Sequence, residues 1–326
     1  MTAGPVLVTG AAGFIGRAVC AALLDRGAPV RAGLHHSPLT ASLAARGVAT
    51  ASAPLDDAKA LAAAMAGTTG VVHAAYGGAT SSLADDVVRL TKAASAAGVA
   101  RVVYLSSIEV YGARTGEVRE DDPPVPPVGD YGAAKVAAEA RLAEWTAAGP
   151  NRSAVALRAS AVYGPGSTLW VDKMVHRIRA GAWGDFGSAA AARAPLVHVD
   201  DVARAAAAAI LAGPDGFLPL NIDGPDRMSW NDYFARLAAA AGAPPLRRVS
   251  PSRLTAEVAA SLPAKAWRRL GLPGLERAAL APARGELALF RRDARYLTDA
   301  AAETIGWEPR VRLEEAIGPA VAAVRP

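Results

Sequence analysis

The chain has 326 residues, is 52% hydrophobic and 6% aromatic, and carries a net charge of +5 at neutral pH. That length accommodates one large α/β unit, or a main domain with a smaller lobe. The positive excess is arginine dispersed along the chain rather than a basic block interleaved with aromatics, which argues against a nucleic-acid surface. The single cysteine, Cys20, excludes a disulfide framework and a cysteine metal cluster.

No apolar run reaches the roughly 18 residues of a membrane span. The N-terminus leads straight into a strand pattern without the layout of a signal peptide. A soluble, cytoplasmic protein is the expectation, with no metal, no nucleic acid and no membrane among its partners.

Val6 to Val8 is a short apolar run, β-branched at both ends, and reads as a strand buried on both faces. Gly10, Gly13 and Gly16 then punctuate a tight turn into a helix from Phe14 to about Arg26, with Ile15, Val19, Ala22 and Leu23 on its apolar face. Such a strand–turn–helix is a phosphate cradle. Gly10 permits the turn, Gly13 lets backbone approach a pyrophosphate, and Gly16 lets helix and strand pack closely, while the helix N-terminus offers free N–H groups and partial positive charge. A dinucleotide site is expected here, involving Gly10, Gly13, Phe14, Ile15 and Gly16. Cys20, on the same helix, is expected to pack against the sheet.

Pro29 to Leu34 reads as the second strand. In a dinucleotide fold an acid at its end binds the ribose 2′-hydroxyl and favours NAD. Leu34 stands at that position, followed by His35, His36 and Ser37, which can donate hydrogen bonds to a 2′-phosphate. NADP is therefore the favoured cofactor, with NAD the alternative. Gly47 to Ala53 is a third strand, and a helix capped by Asp56 or Asp57 runs to Met65. Val71 to Ala75 is a fourth strand whose C-terminal end, Ala74 and Ala75, should face the cofactor. His73 within it is expected to be packed rather than catalytic. Tyr76-Gly77-Gly78 reads as a loop beneath the nicotinamide ribose, Leu83 to Ala97 as a helix, and Arg101 to Ser107 as the fifth strand.

Residues 112–129, rich in proline and acids, read as a long loop beside the site, a lid or disordered. Helix returns from Tyr131 to Trp145, and Ala154 to Leu157, ending in Arg158, is a sixth strand. Beyond about residue 160 the pattern loosens. It holds a turn at 163–166, a helix from Leu169 to Arg179, and a strand from Pro195 running into a helix capped by an aspartate. A strand around Leu218, Leu220 and Ile222 follows, then a near capping box at Ser229–Asp232, a helix near 252–271 and a last helix from Leu313 to Val324. The division expected is a dinucleotide-binding domain over 1–160 and a substrate lobe over 161–326, with some elements of the second returning to the main sheet.

Tyr131 and Lys135 lie four apart on one helix face. A free phenol has a pKa near 10, and an ammonium one turn away favours its ionised form. Ser107, at the end of the fifth strand, can hydrogen-bond a reacting carbonyl or alcohol oxygen. The three predict a hydride-transfer site in which serine orients, tyrosine moves the proton and lysine holds the nicotinamide ribose.

At this point the chain resembles an extended short-chain dehydrogenase/reductase of the NAD-dependent epimerase/dehydratase family. The matching pieces are Thr9-Gly10-x-x-Gly13-Phe14-Ile15-Gly16, Val71 to Ala75, Ser106 to Gly112, Tyr131 to Lys135, Leu157-Arg158, Val162 to Gly166, Val197 to Ala203, and Ile305 to Pro309. The resemblance implies a doubly wound parallel (Rossmann) sheet, a smaller C-terminal α/β lobe, a frequent homodimer, and catalytic roles for Ser107, Tyr131 and Lys135. It also implies an adenine contact at Leu55, where the family's preceding aspartate is replaced by Pro54.

Other departures bear on the substrate. Nucleotide-sugar enzymes of the family commonly have an asparagine where this chain has Ala161, and another at the start of the helix that begins here with Leu83. Dehydratases have an aspartate where Ile108 stands. Glu109 could contact substrate or be a solvated loop acid. Among Arg247, Arg248, Arg268, Arg269, Arg291, Arg292 and Arg295, the resemblance makes Arg291 or Arg292 the best candidate to hold an anionic substrate, and Tyr163 is a further substrate candidate. Trp170, Trp183 and Phe186 either shape the pocket or fill the core. The favoured activity is NADP-dependent hydride transfer to or from a ketone/secondary alcohol of a small molecule. The alternative is a nucleotide-sugar epimerase, or dehydratase-like enzyme, holding NAD tightly.

Overall fold

The computed structural model describes residues 4–76, 80–123, 125–269 and 274–325; of 268 and 269 it describes the backbone alone. Gly77 and Gly78, and the side chains of Arg268 and Arg269, lie outside the described residues. The strands are β1 (Val6–Thr9), β2 (Val30–Leu34), β3 (Ala49–Ser52), β4 (Gly70–His73), β5 (Arg101–Ser107), β6 (Gly116–Val118), β7 (Ser153–Ala159), β8 (Ala161–Tyr163), β9 (Leu196–His198), β10 (Gly216–Ile222) and β11 (Ala294–Tyr296). The first helices are α1 (Phe14–Asp25), α2 (Ala41–Ala45), α3 (Ala58–Met65), α4 (Leu83–Ala96), α5 (Gly129–Ala147), α6 (Lys173–Arg179) and α7 (Val199–Ala212). Then come α8 (Trp230–Ala240), α9 (Pro251–Arg269), α10 (Glu276–Ala279), α11 (Arg284–Phe290), α12 (Asp299–Ile305) and α13 (Leu313–Ala322).

Seven strands form one parallel sheet in the order β10-β7-β5-β4-β1-β2-β3. The chain starts at β1, works outward through β2 and β3, then crosses back to β4 and outward the other way. The resulting switch point lies between β1 and β4, where ligands of open α/β sheets bind. Val6, Leu7, Val8, Val71 and Val72 are buried on both faces, as such apolar strands require. Side chains from α1 and α7 cover one face, with Val19, Cys20, Leu23 and the alanines from 205 to 209. Leu61, Leu90 and Leu142 from α3, α4 and α5 cover the other. β10 closes the sheet at its edge, where Pro219 is tolerated because the outer side needs no ladder donor.

A second apolar cluster sits in the C-terminal lobe around Trp183, Trp230, Tyr233, Phe234 and Phe290. Trp183 and Phe186 are thus core residues. The sheet strand β10 and helix α7 belong by sequence to the second half but pack in the first. No helix among the described residues is long and apolar enough to cross a membrane.

Several sequence expectations are corrected. The segment 112–129 is not all loop, since β6 within it pairs in parallel with β11 and buries Val118 completely. The N-cap of α7 is not an aspartate but His198, whose Nδ1 accepts from the Asp200 N–H at 3.3 Å. The helix expected from Leu169 opens as a π turn over Thr168–Asp172 before α6. The short helix α2 went unpredicted. Of the two aspartates expected to cap α3, Asp57 does so, accepting from the N–H groups of Lys59 and Ala60 as expected. The capping box at Ser229 and Asp232 forms as expected.

Candidate active site

The β1–α1 turn builds a cradle. Gly10 has φ +68°, and a Cβ there would lie 2.7 Å from backbone atoms of Ala75. A Cβ at Gly16 would lie 2.7 Å from the Gly10 carbonyl carbon, so only glycine lets helix and turn meet. Gly13 is the N-cap of α1, with no side-chain cap and no acid in the first turn. The positive end of the helix is therefore left uncompensated, which suits an anion. In front of it lies a cavity of about 710 Å³ lined by Gly10, Gly13, Phe14, Ile15, His35, His36, Leu55, Ala74 and Ala75. Of the residues predicted to hold cofactor through this turn, Gly16 alone packs behind the cavity. Leu34 occupies the position of the missing acid at the end of β2, and the rings of His35 and His36 stand with centroids 3.5 Å apart on the cavity wall. A cradle closed to a Cβ at Gly10 and Gly16, an unneutralised helix end and a long cleft fit a dinucleotide.

A second cavity of about 680 Å³ shares Phe14, Ile15, Ala74, Ala75 and Tyr76 with the first, so the two form one cleft along the carboxyl ends of the strands. Ser107, Tyr131, Lys135 and Glu109 all line it. Ser107 ends β5, where its Oγ accepts from the Glu109 N–H at 3.2 Å and leaves its own proton free to donate. Tyr131 and Lys135 lie on the first two turns of α5. As a residue Tyr131 is 40% exposed. Its sheltered end is the hydroxyl, which burial pushes up to about 12, against an opposing interaction with Ser107.

Burial thus opposes the expected effect of the lysine on the phenol. The Lys135 ammonium lies 5.6 Å from the Tyr131 ring centroid and spends its protons on the Leu105 carbonyl oxygen at 2.6 Å and the Tyr104 hydroxyl at 3.0 Å. Burial pulls the lysine down to about 8, opposed by the Glu139 carboxylate. Tyr104 and Glu139 were missed in the sequence. Glu139 had a signal, lying one further turn along the tyrosine–lysine face. Its carboxylate accepts from Ser106 Oγ at 2.5 Å and from Arg158 at 2.7 Å.

The substrate candidates separate. Glu109 lines the second cavity, and Arg292 sits behind it, donating to both carboxylate oxygens at 3.1 and 3.2 Å. Arg291 is exposed, and Tyr163 is buried in the lobe core, edge-on to His198, away from the cavity lining. Arg248 pairs with Asp185 and Arg295 with Glu117. Trp170 lines the cavity. His73 is buried as expected and bonds Thr9 Oγ1 through Nδ1 at 2.7 Å.

Fold and cleft together define an NAD(P)-dependent enzyme of the extended short-chain dehydrogenase/reductase type. The chain belongs to the NAD dependent epimerase/dehydratase family, whose model matches residues 6–219. A curated relative, the 2-alkyl-3-oxoalkanoate reductase of Stenotrophomonas maltophilia (strain K279a), is 32% identical over 190 residues, 54% of this chain. The match spans only 56% of that relative's length. Among solved structures, MoeE5 in complex with UDP-glucose and NAD is 26% identical, with a TM-score of 0.73 and 98% of each chain covered. UDP-glucose 4-epimerase of Thermotoga maritima is 22% identical, also with a TM-score of 0.73 over 98% of each chain, and shares the fold.

Proposed function

We propose that this protein is an NADP-dependent reductase, or the reverse dehydrogenase, acting on a ketone/secondary alcohol in a small, largely apolar molecule. One observation carries the reading. Ser107, Tyr131 and Lys135 line a cavity together with Ala161, Val162, Leu169, Trp170, Trp230 and Leu289, and with the hydroxyls of Ser160, Ser167 and Thr168. The aliphatic and indole part of these walls gains by burying hydrocarbon, at about 25 cal/mol per Å². The similarity to an oxoalkanoate reductase supports the same class.

In this reading the α1 N-terminus and the Gly13 backbone hold the pyrophosphate, and Leu55 borders the adenine. His35, His36 and Ser37 receive the 2′-phosphate, and Lys135 takes the nicotinamide ribose hydroxyls. A bound nicotinamide supplies or accepts the hydride. Ser107 Oγ donates to the substrate oxygen and orients it. Tyr131 Oη delivers a proton to that oxygen as a carbonyl becomes an alcohol, or removes it in reverse. Burial keeps the phenol protonated at neutral pH, so it carries the proton to be delivered. Lys135 stabilises the phenolate left behind.

The experiment is a panel of alkyl ketones with NADPH, followed at the nicotinamide absorbance, for wild type and Tyr131→Phe. Wild type should turn over, and the variant should lose at least about a hundredfold in kcat, general acid–base catalysis being worth 10²–10⁴, while binding NADPH within about twofold. A variant that kept most of its rate would remove the proton-transfer role from Tyr131. The second reading, a nucleotide-sugar epimerase holding NAD, draws on the likeness to MoeE5. It predicts nicotinamide retained through purification, where the reductase exchanges it freely. The reading also carries the expectation of a cytoplasmic homodimer, whose mass light scattering would give.

A further inference from the structure

The proposed reductase site shows the substrate a carboxylate and conceals an arginine. Glu109 lines the cavity with Ser107 and Tyr131, whereas Arg292 does not, although Leu289 from the preceding helix α11 does. The Arg292 side chain is 7% exposed and Glu109 23%. The guanidinium donates to both carboxylate oxygens, at 3.1 and 3.2 Å, in the bidentate geometry that arginine and carboxylate prefer. Its capacity for anions is thus committed from behind the wall. Among the described residues lining the cavity the one cation is Lys135, at the cofactor end and bonded to Leu105 and Tyr104. The remaining lining is apolar or hydroxylic apart from Glu109.

From this we infer that the Glu109–Arg292 pair is a charge filter. It selects a ketone that is uncharged and excludes carboxylates and phosphates. A substrate anion beside Glu109 meets the carboxylate end of the pair, with the guanidinium turned to its far side and no free guanidinium in the lining to compensate it. The inference rests on the reductase reading. It departs from the oxoalkanoate named for the curated relative, whose carboxylate this wall would repel.

Two matched ligands test it: a medium-chain 2-alkyl-3-oxoalkanoate and its methyl ester. Trp170 and Trp230 line the cavity, so intrinsic fluorescence of the enzyme loaded with oxidised NADP, which has no hydride to give, reports binding without turnover. Wild type should bind the ester at least about tenfold more tightly than the acid, that factor being 1.4 kcal/mol. Glu109→Gln keeps an acceptor for Arg292 but removes the charge. It should shrink the preference to within about threefold by improving acid binding, with a melting scan confirming the fold. Wild type binding the acid as tightly as the ester overturns the filter. So does a folded Glu109→Gln variant with the wild-type preference. If that variant does not fold, the wild-type comparison still decides. Binding selectivity without reduction of either ligand would uphold the filter and sink the reductase reading.

Discussion

The glycine turn gives the sharpest separation between folding and binding. At Gly16 an added Cβ lies 2.7 Å from the Gly10 carbonyl carbon and close to Ala11 Cα at 3.0 Å, all backbone. Ordinary carbon contacts are about 3.5–4.0 Å, so β1 and α1 must part by roughly 1 Å. Overpacking of this kind costs about 1–3 kcal/mol. With about 2.1 cal/mol/K of unfolding entropy per residue over a chain this long, each kcal/mol moves the melting temperature by about 1.5 °C. Gly16→Ala should therefore melt about 2–5 °C below wild type.

Gly13 differs. A Cβ there meets only the Gly10 carbonyl oxygen, at 3.1 Å, and the backbone is extended at φ −77°. Gly13→Ala loses a few tenths of a kcal/mol as an N-cap and regains a similar amount from a stiffer unfolded chain. The free protein should melt within about 1–2 °C of wild type. The methyl group, however, separates the α1 N–H groups from the pyrophosphate. Losing one hydrogen bond to a charged group costs about 1.5–3 kcal/mol, so NADPH should bind about 10–100-fold more weakly. Thermal scans of the free proteins and calorimetric titration with NADPH measure both. A Gly13→Ala variant that bound NADPH within twofold of wild type would refute the cradle.

Two further outcomes follow from single residues. NADPH should bind more tightly than NADH, and replacing His35 and His36 together by alanine should erase most of that preference while leaving NADH affinity unchanged; parallel titrations of both cofactors check it. Burial holds His73 down to about 3, with the charge of Lys135 acting the same way. The unfolded chain therefore takes up a proton near pH 6.5 that the fold refuses. The stability is fully present above about pH 6.5 and is lost by about 1.4 kcal/mol per pH unit as pH falls towards 3; denaturant melts of wild type and His73→Asn between pH 7 and 4 should differ in slope by that amount.

What could be read in the sequence was what depends on local pattern. β5 spans the expected Arg101–Ser107 because a run buried on both faces leaves a continuous apolar signature. The Ser229 capping box, the Gly10–Gly16 turn and the Tyr131–Lys135 spacing are equally local, and all lie where the sequence placed them. What stayed hidden depends on partners far along the chain. β6 is three residues long and exists because β11, nearly two hundred residues later, supplies its ladder. The Glu109–Arg292 pair spans 183 positions, so neither residue announces the other. His198 as a helix cap was missed for another reason. Imidazole is a poor predictor of a cap, and burial leaves it largely neutral, with Nδ1 free to accept.

The proposed chemistry also depends on how α5 is keyed to β5. Tyr131, Lys135 and Glu139 fall at successive turns of one helix face, and they meet Ser107, the Leu105 carbonyl and Ser106 in turn. Behind Glu139 the contacts continue through Arg158 to the Tyr111 hydroxyl at 2.7 Å, and from Tyr111 to Asn221 at 2.6 Å on β10. Asn221 donates in turn to the carbonyls of Val118 and Leu297. A buried ion pair such as Glu139–Arg158 adds little net stability, because desolvation offsets most of its attraction. Its contribution is geometric. The contacts interlock, with Lys135, Glu139 and Arg158 each holding two or more partners, so α5 cannot slide by a residue against β5 without breaking several of them. A proton donor and an ammonium one turn apart need that register more than they need extra stability, since a displacement of about 1 Å at a reacting group can cost a hundredfold in rate.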